Sequence, residues 1–255
     1  MRGDAVSVAA DALHTGAGRF PITRHSVIGA LDASDPSERR QAWDTLIAAY
    51  WKPVYKHLRL AWNVPREDAE DLTQEFFARA LEGGVLERFD PDKARFRTYL
   101  RVCLDRFASN ARKAEGRLKR GGASEHLSLD FPGAERELGH LRAAGADVDE
   151  AFRQELIRAL FSDAVDVLRE RSLAAGKATQ FAIFERYDLR PTGGDAPTYA
   201  ALAEEFDVPA TQVTNWLAAM RRSFRAIVLE RLRAVTATED EFRVEAHELF
   251  GPGAA

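Results

Sequence analysis

Apolar residues recur at intervals of three and four along most of the chain, which is the spacing of the buried face of an α-helix. A first predicted helix begins near Ser37, a second covers Pro65 to Leu81, and a third begins near Ala94. The sequence contains no alternation of apolar and polar residues that would indicate a sheet. The pattern therefore predicts an all-α protein.

Breaks in this periodicity divide the chain into two helical domains joined by a linker. We predict a disordered N-terminal tail over residues 1–19, a bundle of three to four helices over 20–120, a linker over 121–149 that is in part helical, a second helical domain over 150–235, and a C-terminal tail over 236–255. Pro53 lies inside the first apolar pattern. Because proline removes a helical hydrogen bond and crowds the preceding turn, it is expected to kink this helix or to divide it near Trp51.

The composition agrees with a globular protein in a reducing compartment. The chain has 255 residues, of which 45% are hydrophobic, and a net charge of −4 that says little about partners. Cys103, the single cysteine, stands among apolar residues and is expected to be buried. The sequence has neither a run of about 20 apolar residues nor a signal peptide, so no membrane association and a cytoplasmic location are expected.

Charge is distributed unevenly between the second and third predicted helices. Seven acidic and two basic residues lie between Val64 and Glu87, whereas nine basic and two acidic residues lie between Arg95 and Arg120. On the acidic helix, Leu72, Phe76 and Ala80 are expected to be buried, and Asp68, Asp71 and Glu75 form a neighbouring stripe. The acidic stripe is either a solvated helix start, where carboxylates are favourable in any case, or a docking surface for a basic partner.

The basic helix is either a solvated face or a nucleic-acid surface. Its arginines can displace counterions from phosphates, and exposed aromatic rings nearby can stack on unpaired bases. Phe96 and Phe107 are expected to be mostly core residues, and the place of Tyr99 is left open. The excess of cations favours nucleic acid.

A helix-turn-helix pattern follows the break at Pro191–Pro197. The short segment TYAALAEEF, the connection Asp207-Val208-Pro209 and a longer helix have the spacing of this motif, which serves either for DNA binding or for packing. Arginines at 221, 222 and 225 favour DNA. The histidines lack the spacing of metal ligands, and phosphate-binding loops and nucleophile motifs are absent from the sequence, so we expect no enzyme activity, cofactor or metal.

In their order along the chain, these motifs resemble the bacterial sigma factors of the sigma-70 family. The resemblance rests on DAEDLTQEFF, then FRTYL, then a basic helix through NARK, and finally YAALAEEFDVPATQVTNWLAAMRRSFR. FPITRHSV and AYWKPVY are similar to a subgroup of the extracytoplasmic-function (ECF) type, which keeps only regions two and four. The resemblance covers about Phe20 to Leu232.

The resemblance implies a role for each of three sets of residues. RNA polymerase core would be bound by Asp68, Glu70, Asp71, Gln74 and Glu75. The minus-ten element of promoter DNA would be recognised and opened by Arg101, Arg106, Asn110, Arg112 and Lys113. The minus-thirty-five element would be read by Thr211, Gln212, Thr214 and Asn215, with Arg221, Arg222 and Arg225 on phosphates.

Two departures from the family pattern concern the second motif. Asp207 replaces the usual turn glycine, which is tolerable because aspartate adopts positive φ more readily than most residues. The start of the recognition helix, which is usually basic, offers Thr214, Trp216, Ala218 and Ala219 instead. We expect a sigma factor. The alternative is a stand-alone helix-turn-helix regulator, and an anti-sigma factor or a regulatory kinase is a further candidate partner.

Overall fold

The computed structural model describes residues 27–31, 33–84, 86–115, 129–142, 147–189 and 197–251. These residues form nine α-helices and no strand, which confirms the predicted all-α class. The helices are α1 Pro36–Leu60, α2 Arg66–Gly83, α3 Phe96–Glu115, α4 Phe131–Arg142, α5 Val148–Ala174, α6 Ala178–Phe184, α7 Tyr199–Glu205, α8 Ala210–Val235 and α9 Glu239–Phe250. The predicted N-terminal tail lies outside the described residues.

The chain folds into two compact units whose bounds differ from the predicted domains. Unit 1 comprises Met1–Ala159 and Leu232–Ala255, and unit 2 comprises Leu160–Arg231, so that the boundaries fall within α5 and α8. The segment predicted as a C-terminal tail contains α9 and belongs to unit 1. The predicted linker contains α4, which belongs to the same unit.

α1 is a single helix of 25 residues that continues through Pro53. The predicted division near Trp51 is therefore not observed. The helix begins at the N-cap Asp35, whose side chain accepts a hydrogen bond from the Ser37 N–H at 2.8 Å. Pro53 is itself buried, as are Val54 and Leu58. Packing of this face offsets the lost backbone hydrogen bond, so the chain stays helical where proline disfavours it.

The core of unit 1 forms where α1, α2 and α3 meet. Tyr50 of α1 packs edge-on against Phe96 of α3, with ring centroids 5.8 Å apart, and Phe76 of α2 meets Phe107 at 5.6 Å. Phe96 is fully buried, Phe107 is half-buried, and Tyr99 lies 5.3 Å from the ring of Phe89. Burial of these rings stabilises the bundle and fixes the direction in which the outer faces of α2 and α3 point.

α4 docks on α1 through both rings and charges. Phe131 is buried against Tyr55, with ring centroids 5.0 Å apart. Tyr55 donates a hydrogen bond to Glu135 at 2.6 Å, and the fully buried Lys56 donates to Glu137 at 2.6 Å. Such directional contacts make α4 a part of the bundle.

Unit 2 contains α7, the connection at 206–209 and most of α8, which are the segments that we predicted as a helix-turn-helix. The Thr198 side chain caps α7 by accepting from the Ala201 N–H at 3.1 Å. Asp207 has φ of 51° in the turn, which confirms that aspartate occupies the left-handed position usual for glycine. Leu202, Val213 and Leu217 are fully buried. The short helix, the turn and the longer helix thus lie where the sequence predicted them.

Candidate functional site

Of the four carboxylates of α2 that we predicted at the docking surface, two have no ion-pair partner in the described part of the chain. Asp68 and Asp71 are exposed. Glu70 accepts from Arg66 at 2.8 Å, and Glu75 pairs with Arg79, both within the helix. Asp68 stands in the first turn, where the unpaired N–H groups of the helix favour negative charge. Asp68 and Asp71 are therefore the groups of this face that are most available to a basic partner.

The rotation of α2 differs somewhat from the predicted one. Its buried positions include Ala69, Thr73 and Phe77 in addition to the predicted Phe76 and Ala80, whereas Leu72 is only half-buried. Gln74 is 8% exposed, so its amide belongs mostly to the interior although we predicted it at the docking surface. At the edges of the apolar face of a helix, exposure depends on which other helices pack nearby. The spacing of residues within one helix does not show those neighbours.

The C-terminal half of α3 presents exposed basic groups. Arg106, Asn110, Arg112 and Lys113 are all exposed, and the three cations have no ion-pair partner within the described residues. A cavity of about 160 Å³ opens beside them, lined by residues that include Trp62, Asp68 and Arg112. Four of the five residues predicted at the minus-ten element are thus accessible.

Arg101, the fifth residue predicted at the minus-ten element, forms ion pairs with two carboxylates. It is 21% exposed, donates to Asp105 Oδ2 at 2.8 Å and pairs with Asp149 of α5. Arg97, one turn earlier, donates to Glu245 of α9 at 2.8 Å. Among the described residues, the cations in the N-terminal half of the basic helix therefore form ion pairs and those in its C-terminal half do not. The net charge of the segment does not reveal this difference.

Asp105 is the anchor that orients α3 on α1. Its Oδ1 atom lies 2.7 Å from His57 Nε2 and accepts a hydrogen bond from Trp62 Nε1 at 2.8 Å. Burial by itself raises the pKa of Asp105, but the hydrogen bonds from His57 and Trp62 and the charge of Arg101 outweigh it, so its pKa lies below the ordinary value. The sequence showed Asp105 only as one acidic residue in a basic run.

In unit 2, the residues predicted to read bases are all exposed at the start of α8. They are Thr211, Gln212, Thr214 and Asn215. Thr214 also donates to the carbonyl of Ala210 at 3.2 Å. This surface can present hydrogen-bonding groups to base edges, but none of the four side chains is cationic.

The three predicted phosphate contacts of α8 differ in their surroundings. Arg222 and Arg225 are exposed. Arg221 forms a two-pronged pair with Asp188, at 2.9 and 2.8 Å, and its guanidinium lies 5.3 Å from the ring centre of Tyr187. The hydrogen bonds to Asp188 raise the pKa of Arg221 above its ordinary value. Arg221 must exchange this partner before it can hold a phosphate.

The structure contributes two negative observations, both confined to the described residues. None of the clusters of histidine, cysteine and carboxylate side chains there has three members placed to hold a metal ion. No helix in the same residues is long and apolar enough to cross a membrane.

Comparison with known protein families gives a match over part of the chain. Residues 46–118 match the family model described as Sigma-70 region 2. Searches of curated proteins and of solved structures gave no match. The matched residues begin within α1, contain all of α2 and α3, and include both the acidic face and the basic helix. This part of the chain is therefore similar to region 2 of the sigma-70 family, whose members act in transcription initiation.

Proposed function

We propose that this protein is a sigma factor of the extracytoplasmic-function type, which binds RNA polymerase core and directs promoter recognition, DNA opening and transcription initiation. The observation that carries the proposal is the match of residues 46–118 to Sigma-70 region 2. The matched residues form an acidic helix and a basic helix in one bundle, which is the arrangement expected for binding two partners of opposite charge. The protein itself catalyses no reaction in this proposal and works in the cytoplasm with polymerase.

Docking on polymerase is assigned to the exposed carboxylates of α2. Asp68 and Asp71 lack ion-pair partners among the described residues, so a basic helix of the polymerase can pair with them without first breaking internal contacts. Such charges set the orientation and the rate of association more than the total affinity. Glu70 and Glu75 are already paired within α2 and contribute less.

DNA is assigned to two surfaces that act together. The exposed cations at the end of α3 approach the strands of the minus-ten element, and the start of α8 approaches the duplex of the minus-thirty-five element. Either surface alone binds weakly. Once both are held on one polymerase, the second contact forms at a high effective concentration, which multiplies the two affinities.

Charge reversal on α2 tests the docking step. We expect Asp68→Arg together with Asp71→Arg to weaken binding to purified polymerase core about tenfold or more, because two attractions become repulsions. Binding is measured by the anisotropy of a labelled chain titrated with core. Glu38→Arg with Glu204→Arg is the matched control, since it makes the same charge change at exposed positions outside α2. Unchanged binding of the α2 variant, or a wild type that does not bind core, would contradict the proposal.

The second candidate function, a stand-alone regulator, has a distinct outcome in the same assay. It predicts sequence-specific duplex binding through α7 and α8 with no requirement for core. Binding to a pool of duplex genomic promoters, measured with and without core polymerase, then separates the two functions.

A further inference from the structure

The N-terminal end of α3 is covered by acidic residues from α9. Glu245 accepts hydrogen bonds from Arg95 at 2.9 Å and from Arg97 at 2.8 Å, and Glu248 accepts from Arg95 at 3.3 Å. Glu241 accepts from the backbone N–H of Phe96, the first residue of α3, at 2.9 Å. Three carboxylates thus occupy two guanidinium groups and one N–H of the helix start.

These contacts satisfy the groups that would otherwise attract an anion. A helix start with free N–H groups and two arginines beside it is a favourable place for a phosphate. Glu245 is only 5% exposed, so its contacts with the arginines are shielded from water more than ordinary surface pairs are. The arrangement gives α9 the chemistry of a phosphate mimic.

α9 is a well-formed element and not a loose end. Thr238 caps it by accepting from the Glu241 N–H at 3.1 Å, and Phe242 and Ala246 are buried. Glu241 accepts from the N–H of Ala237, just before α9, at 2.9 Å, and from the N–H of Phe96, so the same carboxylate ties the start of α9 to the start of α3. The carboxylates are therefore held in register with the basic groups they cover.

The two halves of α3 differ in how far their cations are paired with carboxylates. Arg106, Arg112 and Lys113 are exposed, whereas Arg97 is 17% exposed and bound to Glu245. Arg101 is in turn bound to Asp149 at the start of α5. Intramolecular carboxylates thus neutralise the part of the basic helix nearest its N-terminus.

We propose that α9 is an intramolecular acidic mask, whose carboxylates compete with the phosphates of DNA for Arg95, Arg97 and the N-terminal end of α3. The inference rests on the proposed role of α3 in binding DNA. DNA that reaches the covered end displaces α9, and any partner that holds α9 away opens this surface. The mask lowers the affinity of the free chain for DNA and makes binding depend on its release.

A pair of matched variants tests the mask in the full chain. Glu245→Gln with Glu248→Gln removes two charges that face α3, and Glu239→Gln with Asp240→Asn removes two charges from the exposed side of the same helix. The probe is a fluorescent single-stranded 20-mer of thymidine, titrated without polymerase at about 0.1 M salt. We expect the first variant to bind about tenfold more tightly than the second, since each ion pair that it breaks had to be broken by DNA. Equal affinities for the two variants would overturn the proposal.

Hydrogen exchange of the unaltered chain gives a second measurement that needs no variant. Saturation with the same oligonucleotide should speed amide exchange in α9 and slow it at the start of α3. Unchanged exchange in α9 at saturation would overturn displacement. If the chain fails to bind polymerase core, the sigma-factor proposal is wrong, but the oligonucleotide affinities and the hydrogen exchange still test the mask. If the chain binds core and both of these measurements give the contrary result, only the mask proposal is wrong.

Discussion

At the scale of single residues, several charged groups in unit 1 are placed in positions that local sequence does not favour. Lys56 is 1% exposed and reaches Glu137 and Glu155. Asp44 is half-buried, and its Oδ1 atom has no hydrogen-bond partner within the described residues. Buried charges need partners, and where a partner is missing the charged form is disfavoured.

Asp44 gives a pH-dependent prediction. Burial raises its pKa from 3.8 to about 6, against a smaller opposing effect of Arg40. An acid whose pKa is raised on folding destabilises the fold as pH rises through the interval from 3.8 to about 6, and the penalty is constant above it. Partial exposure reduces the cost to about 1 kcal/mol at neutral pH.

We expect Asp44→Asn to raise the free energy of unfolding by about 1 kcal/mol at pH 7.5 and to have almost no effect near pH 3.5. Urea unfolding at several pH values measures the difference. A stabilisation that is independent of pH would show that the ionisation of Asp44 is not its cause.

At the scale of helices, α4 and α9 are the elements that sequence periodicity did not resolve. α4 lies in the predicted linker, where its apolar residues are few. Phe131, Ala134 and Leu138 are nonetheless buried, at steps of three and four. For α9 the sequence does carry a signal, since Thr238 followed three residues later by Glu241 is the pattern of a capped helix start.

The ion pairs that involve Lys56 give a prediction at this scale. Lys56→Met leaves Glu155, which is 2% exposed, with Arg158 as its ion-pair partner, and we expect a loss of about 2–3 kcal/mol in the free energy of unfolding, less than for a buried charge left with no partner. Adding Glu155→Met should recover most of the loss because the buried carboxylate is then removed as well, and the half-exposed Arg158 that loses its partner can be hydrated. Lys52→Met is the control: its pair with Glu137 is partly exposed, and the loss should be below about 1 kcal/mol. A double variant no more stable than Lys56→Met alone would contradict this account.

The N-cap residue of α9 gives a second prediction at the scale of helices. Thr238→Ala removes the acceptor for the Glu241 N–H and should destabilise the start of α9 by about 1 kcal/mol. Hydrogen exchange should then become faster in α9 while that of α1 is unchanged. Equal acceleration in both helices would mean that Thr238 acts on the whole bundle and not on its own helix.

At the scale of the whole molecule, a net charge of −4 conceals separate acidic and basic surfaces. Each is weak as a binding site, and the proposed function depends on their joint use on one polymerase. The proposed mask adds a condition, because part of the basic surface is covered in the free chain. Binding to DNA should therefore depend strongly on the salt concentration and on whether α9 is held away from α3.

Phosphate contacts by α8 are tested with the complete polymerase assembly on promoter DNA. Arg222→Gln should lower the slope of log affinity against log salt by about 0.9, the value for one phosphate contact. Arg221→Gln should lower it less, because Arg221 must first leave Asp188. Arg243→Gln, at an exposed arginine of α9, is the control with the same charge change. An unchanged slope for Arg222→Gln would remove this residue from the DNA surface.

The sequence by itself determined the helical class, the buried face of most helices, the short and the longer helix on either side of the turn at Asp207, and the position of the acidic and basic segments. These follow from spacing along the chain and from the local preferences of residues. These features can be predicted without knowing which helices pack against each other.

Only the tertiary structure decided which charges are available. Arg95 meets Glu245 across 150 residues of sequence, Arg97 shares that carboxylate, and Gln74 lies in the interior. Charge pairing and burial depend on which elements the fold brings together. A periodic pattern predicts the face of a helix, but the partner of that face is fixed by packing between segments that are distant in sequence.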